Sequence, residues 1–247
     1  MDGQSADSGG DRFRAGDVLE LECAFTETTV TGTTPFHVSV RWPWSEVDPQ
    51  AEGICWNGDY GLPTPESYEY DQEIFRTEPA ETALKPGDTC RVGIPPTVVH
   101  VHAVHHFDPP LVTGMLPRPA SYVEVLPQGE THNPEFEDQG YTIDPAGHEP
   151  IRARLLFRPY AFLEPGDEVT DQEGRAWRFD AAWDWHPFDG VRPGVPAWPL
   201  ILLSRKGEPS PEEAPEAAAV ARATAVGSHA EELRRWTELT LARPSAL

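Results

Sequence analysis

Val98-Val99-His100-Val101-His102-Ala103-Val104-His105-His106-Phe107-Asp108 alternates apolar and imidazole side chains with a period of two from Val99 to Ala103. That period is the mark of a strand with two unlike faces. Val99, Val101, Ala103 and Phe107 point one way, and His100 and His102 the other. Part of the stretch recurs: His105-His106-Phe107-Asp108 returns as His186-Pro187-Phe188-Asp189.

Working outward, three more matches keep the same order. Phe75-Arg76 answers Phe157-Arg158. Leu84-Lys85-Pro86-Gly87-Asp88 answers Leu163-Glu164-Pro165-Gly166-Asp167. The strand Tyr122–Leu126 answers Leu200–Leu203. Proline fixes φ and glycine supplies a positive φ, so Pro-Gly-Asp makes a tight turn before a strand. Shared order and spacing predict an internal duplication. The expected fold is mainly β, with tandem SH3-like barrel or half-barrel modules and one C-terminal amphipathic helix. Phe13-Arg14-Ala15-Gly16-Asp17 repeats a fragment of the turn, so 13–73 is a candidate third copy.

These matches set the expected boundaries. Residues 1–12 form a disordered leader, and 13–73 a β-module with a long aromatic and acidic loop. Copy 1 spans 74–129, an acidic linker 130–150, and copy 2 151–207. A flexible linker covers 208–227 and the helix 228–247. Ser228 and Glu231 have capping-box spacing, and Leu233, Trp236 and Leu239 share a stripe.

Composition narrows the class. The chain has 247 residues and a net charge of -22, so its average field repels nucleic-acid phosphates and favours a basic partner. No run of 18 apolar residues occurs, so no membrane helix is expected. Three scattered cysteines, Cys23, Cys55 and Cys90, make no C-x-x-C and point to a reducing cytoplasm. Two lysines among abundant Arg, Ala, Pro and Gly suggest a GC-rich bacterial genome.

Two constellations carry possible chemistry. Imidazoles at i and i+2 on one strand face can share a metal ion, so His100, His102 and His106 with Asp108 form a candidate site for Zn²⁺ or another divalent transition metal. His106 joins that face if no bulge intervenes. The spacing is similar to the H-x-H-x-D-H of metallo-β-lactamase-like hydrolases, but Val104 stands at the Asp position and that fold's helices are missing. Aligning Phe107 with Phe188 instead places core-type Ala181 and Trp183 at His100 and His102. The two registers differ by one residue, and a bulge near His105-His106 would reconcile them. The repeated pairs His105/Asp108 and His186/Asp189 read as turn devices. The second constellation is Trp44, Trp56, Tyr60, Tyr68 and Tyr70, an aromatic set beside acids that either contacts a partner or covers the barrel.

No nucleophile elbow, phosphate-binding glycine loop or H-E-x-x-H is present. The leading expectation is a non-catalytic, cytoplasmic interaction or regulatory protein without a cofactor, binding a basic protein partner and neither nucleic acid nor membrane. A metal-binding protein or metal-dependent hydrolase is the alternative, and an acidic nucleic-acid mimic the third.

Overall fold

The computed structural model describes residues 12–53, 56–133, 135, 139–190, 194–211 and 213–241. All but Arg12 of the expected leader, and 242–247 of the expected terminal helix, lie outside these. The fold is mainly β, with a curled half-barrel sheet and a C-terminal helix. No described helix is long and apolar enough to cross a membrane. The chain divides into two units, one of residues 1–156 with 240–247 and one of 157–239.

The first unit is built on two long strands, β1 (Val18–Thr33) and β6 (Thr89–His106), which pair antiparallel along most of their length. Each opens from the same turn. The Asp17 carboxylate accepts the Arg14 N–H at 3.0 Å, and the Asp88 carboxylate accepts the Lys85 N–H at 2.8 Å. Gly16 and Gly87 take φ of 90° and 92°, a region open to glycine at no steric cost. Each turn then closes on the far end of the opposite strand. Gly16 N–H donates to Val101 O and Val101 N–H to Asp17 O; Gly87 N–H donates to Val30 O and Val30 N–H to Asp88 O.

The rest of the sheet keeps this reciprocity. β2 (His37–Arg41) joins β1 at Val30↔Val40, and β8 (Ser121–Pro127) joins β6 at Val101↔Val125. β4 (Asp59–Pro63) then joins β2 at Val40↔Tyr60, and β9 (Tyr141–Ile143) joins β8 at Val125↔Tyr141. The order β4-β2-β1-β6-β8-β9 therefore reads alike from either end. β5 (Arg76–Glu78) pairs β6, and β10 (Ile151–Phe157) pairs β1, with Arg154 on Glu20 at 2.9 Å. β3 (Glu46–Val47) and β7 (Met115–Leu116) form a separate ribbon. Leu19, Leu21, Val40, Val92, Ile94, Val99, Val101 and Val125 fill one core. Alternation in β1 runs from Leu19 to Cys23; register shifts between Leu21 and Thr26 then hand the inner face to Thr28 and Val30.

The second unit holds a five-stranded sheet of order β13-β12-β11-β14-β15. Its strands are β11 (Glu168–Thr170), β12 (Ala176–Ala181), β13 (Asp184–Pro187), β14 (Ile201–Arg205) and β15 (Glu208–Pro209). The Glu164–Asp167 turn repeats the geometry above: the Asp167 carboxylate accepts the Glu164 N–H at 2.9 Å, and Gly166 takes φ 89°. Helices α1 (Pro215–Val226) and α2 (His229–Thr240) complete it. Tyr160, Trp177, Phe179, Trp185, Leu200 and Leu202 are buried in its core.

These pairings do not confirm the expected duplication of 74–129 and 151–207, because the two segments pair their strands differently. After Pro86-Gly87-Asp88 the chain does not turn at Pro95-Pro96. It runs on as β6, and the two prolines sit where the β1/β6 register shifts between Ile94 and Thr97, a bulge where a missing N–H breaks no ladder bond. After Pro165-Gly166-Asp167 the chain does turn, because the Asp171 side chain accepts the N–H groups of Glu173 and Arg175, both at 2.9 Å. β11 and β12 therefore form a hairpin where the first segment has one strand. Phe107 follows the long strand and Phe188 follows the third strand of a meander, so they are not equivalents. The halves that match in pairing are turn-β1-β2-β4 and turn-β6-β8-β9.

Three boundaries move with this. Residues 130–150 include β9 and belong to the first sheet. β10 lies at the start of the expected second copy but pairs with β1. The expected flexible stretch 208–227 contains α1, with Pro215 at its first turn and Ala217, Val220 and Thr224 buried. Proline is pre-organised for a helix start, and Thr224 Oγ1 accepts the Leu200 N–H at 2.9 Å. In α2, Glu231 N–H reaches the Ser228 hydroxyl at 3.2 Å. Trp236 is half-buried and edges onto Trp183, while Leu233 stays 48% exposed.

Candidate functional site

β4 and β9 end the sheet, and their tyrosines meet. Tyr60 and Tyr141 line the same two clefts and their hydroxyls influence each other's titration, and Tyr60 donates to Glu73 Oε2 at 3.0 Å. Glu73 also accepts the N–H groups of Ile74 and Phe75, each at 2.8 Å. Burial raises the Glu73 pKa against these bonds and the nearby Arg76. Burial likewise drives both phenols well above their ordinary value, with Glu73 adding to the effect on Tyr60. Tyr60 and Tyr141 thus stay neutral and span the seam as an aromatic bridge. Trp42 packs on Tyr60 at 4.4 Å, and Phe75 lies 4.9 Å from Trp42 and 5.5 Å from Tyr141.

Beside this bridge opens a cleft of about 360 Å³, within the usual range for a ligand site. Trp42, Tyr60, Tyr122, Tyr141 and Met115 supply apolar walls, and Asp144 and Glu149 supply charge. Glu149 Oε1 accepts the Trp42 indole N–H at 3.1 Å. Its pKa is raised by burial first, then by Asp144 and Glu73. Asp144 is raised by burial, against the N–H groups of Ala146 and Gly147 and the charge of His148. No Lys or Arg lines the cleft among the described residues. Its lip is backbone at Gly140, where φ is 79° and a Cβ would collide with the Val125 carbonyl oxygen.

A second cleft of about 270 Å³ shares Tyr60, Gly140, Tyr141 and Thr142 with the first. Its charged lining is Glu69, Glu73 and Glu124. Glu69 pairs with His37 and Glu124 with His105, each at 3.1 Å.

The histidines predicted as a metal set sit in unlike surroundings. His100 is 6% exposed, and burial first and His102 second lower its pKa to about 4. His102 is half-buried and stacks on His132 at 3.9 Å; its pKa is lowered by burial, then by His132 and His105 against Glu124. His106 and Asp108 are exposed. No group of three or more His, Cys, Asp or Glu side chains is placed to hold a metal among the described residues. The register slip lies between Val101 and Ala103, not at His105-His106. His100 is buried all the same, on the opposite face from Val99 and Val101, beside its buried cross-strand neighbours Val18 and Leu126. The repeated pairs differ as well: Asp189 holds Arg175 at 2.8 Å, His186 edges onto Phe188 and His105 binds Glu124.

Of the five aromatics, Trp44, Trp56 and Tyr60 pack against the core, with the Trp56 indole donating to Asp59 O at 2.8 Å. Tyr70 lies under the Arg76 guanidinium at 4.5 Å. Tyr68 alone of the five is open, at 88%. Sequence patterning does not single out Trp42, Glu73, Tyr141, Asp144 or Glu149. The short Tyr141-Thr142-Ile143 alternation before Asp144-Pro145-Ala146-Gly147 is the available signal for β9 inside the expected linker. No family model, curated protein or solved structure matches the chain, so the site is read on its own geometry.

Proposed function

We propose that the protein is a non-catalytic interaction module of the cytoplasm that recognises a basic partner through the seam cleft. The observation that carries this is the pair Asp144 and Glu149 in an aromatic-walled cleft with no lining Lys or Arg among the described residues. Burial raises both carboxylates and the charge of Asp144 raises Glu149 further, and a bound cation relieves that repulsion. An arginine or lysine head would meet the two carboxylates while its methylene stem lies on Trp42 and Tyr122. The chain's net charge of -22 adds long-range attraction for the same ligand.

A second reading has one observation in its favour. A carboxyl whose pKa is raised in a cleft suits a general acid, which would make Glu149 a proton donor in a hydrolase. The experiment that separates the two is an NMR titration with arginine amide, read at the Trp42 indole N–H that donates to Glu149. Binding predicts a saturable shift in the wild type that is lost in Asp144→Asn/Glu149→Gln. No shift at millimolar ligand would refute the binding reading.

A further inference from the structure

Resting on that cleft reading, we propose that the seam is one continuous groove for an extended basic peptide segment. Several observations point this way. The two clefts share Tyr60, Gly140, Tyr141 and Thr142, so they adjoin. They also lie end to end. β4 leaves the first cleft at Tyr60 and reaches the second at Gly61 and Pro63, while β9 enters by the second at Gln139 and leaves by the first toward Asp144. The groove therefore runs along the strand direction.

Its walls are the terminal strands of the sheet. Among the described strands, β4 pairs only with β2 and β9 only with β8. Their outer edges are free to take a further strand, the recognition mode in which main-chain bonds give affinity and alternate side chains give specificity. One group at that edge already has a substitute partner. The Gly140 N–H meets the side-chain oxygen of Gln72 at 3.4 Å, a long bond that a peptide carbonyl could replace. β4 has five residues, so the edge matches roughly 17 Å of extended chain.

Charge selects the peptide. Asp144 and Glu149 stand at one end, and Glu69, Glu73 and Glu124 at the other, with no Lys or Arg lining either cleft among the described residues. Glu69 and Glu124 are each held by a histidine, His37 and His105, a partner that an arginine or lysine of the peptide would share or displace. A segment with basic residues at both ends and a neutral middle over the Tyr60–Tyr141 bridge would fit. A single cationic side chain would use only one end.

The test is calorimetric titration with capped arginine oligomers of increasing length, from arginine amide to hexa-arginine, at fixed moderate salt. The groove predicts affinity rising by about tenfold or more with length. Glu69→Gln/Glu124→Gln should lose most of that gain. Glu22→Gln/Glu27→Gln, which removes the same charge from exposed positions on β1, should keep it. Affinity independent of length would overturn the groove, as would an equal loss in both double variants, since general attraction would then explain the gain. If arginine amide shifts Trp42 and length adds nothing, the cleft stands and the groove falls. If arginine amide does not bind, the cleft reading falls and the groove with it.

Discussion

Protonation of His100 should destabilise the first unit by an amount the structure sets. The ring is buried on the face of β6 that it shares with Val18 and Leu126 of the neighbouring strands, and its pKa is lowered from 6.5 to about 4 by burial and by His102. The unfolded chain takes the proton near the ordinary value and the folded chain near 4. His100's contribution is therefore full above about pH 6.5 and is lost as pH falls toward 4. At about 1.4 kcal/mol per pH unit over that interval, the loss is about 3 kcal/mol. Glu73, Asp144 and Glu149 act with the opposite sign. Their folded values are raised, so the strain of keeping them charged is relieved as pH falls. Bulk acid unfolding mixes both effects, and a difference measurement isolates His100. In His100→Gln the carboxylates remain and the titration is gone. Hydrogen-exchange protection at Val99, Val101 and Val125, measured from about pH 7 to pH 4, should fall in the wild type relative to the variant by the equivalent of about 3 kcal/mol. A constant difference, or an NMR titration of the His100 ring near its ordinary value, would refute the burial argument.

Two further outcomes are specific. Asp17 and Asp167 are buried at 0% exposure, and Asp167 also holds Arg205 at 2.7 Å; Asp88 is exposed. Replacing Asp88 by Ala should cost about 1 kcal/mol, for one exposed carboxylate–amide bond. Asp167→Ala should cost about 3 kcal/mol or more, because it also leaves Arg205 unpaired; urea unfolding of the two variants measures this. Cation binding at the cleft should strengthen with rising pH. The raised values of Asp144 and Glu149 place the midpoint above that of an ordinary carboxylate, and calorimetry of arginine amide across about pH 4 to 7 checks the direction.

What the sequence made legible was local. β1, β2 and β6 could be read because Leu19-Leu21-Cys23, Val38-Val40-Trp42 and Val99-Val101 alternate, and alternation needs only one buried face. The turns could be read because Gly and Asp are required at fixed places within four residues. The expected repeat is not confirmed for the same reason. The x-x-Gly-Asp turn occurs three times with one geometry, but a turn dictates only how a strand starts. The path of the chain beyond the turn depends on Pro95-Pro96 in one case and Asp171 in another, and on partners dozens of residues away. The helix α1 was missed because its charge and prolines read as solvent-loving. Its stabilisation comes from Ala217 and Val220 against the second core, which no local window contains.

The candidate site was the least legible part, because it has no sequence of its own. Tyr60 and Tyr141 are far apart in the chain and lie in segments that read as a loop and a linker. They meet because each lies on the second strand outward from a central pair: Val30 to Val40 to Tyr60, and Val101 to Val125 to Tyr141. Curling a sheet whose order is the same from both ends brings its two edges together, and equivalent residues on those edges face one another. The acids are placed by the same symmetry. Glu73 comes after the loop that leaves β4, and Asp144 and Glu149 come after β9, so both halves deliver carboxylates to the same line. A histidine-rich strand draws attention in sequence because its unusual residues are adjacent. Here that strand lies in the middle of the sheet, where His100 is packed away, and the open edges carry the groups that can meet a ligand.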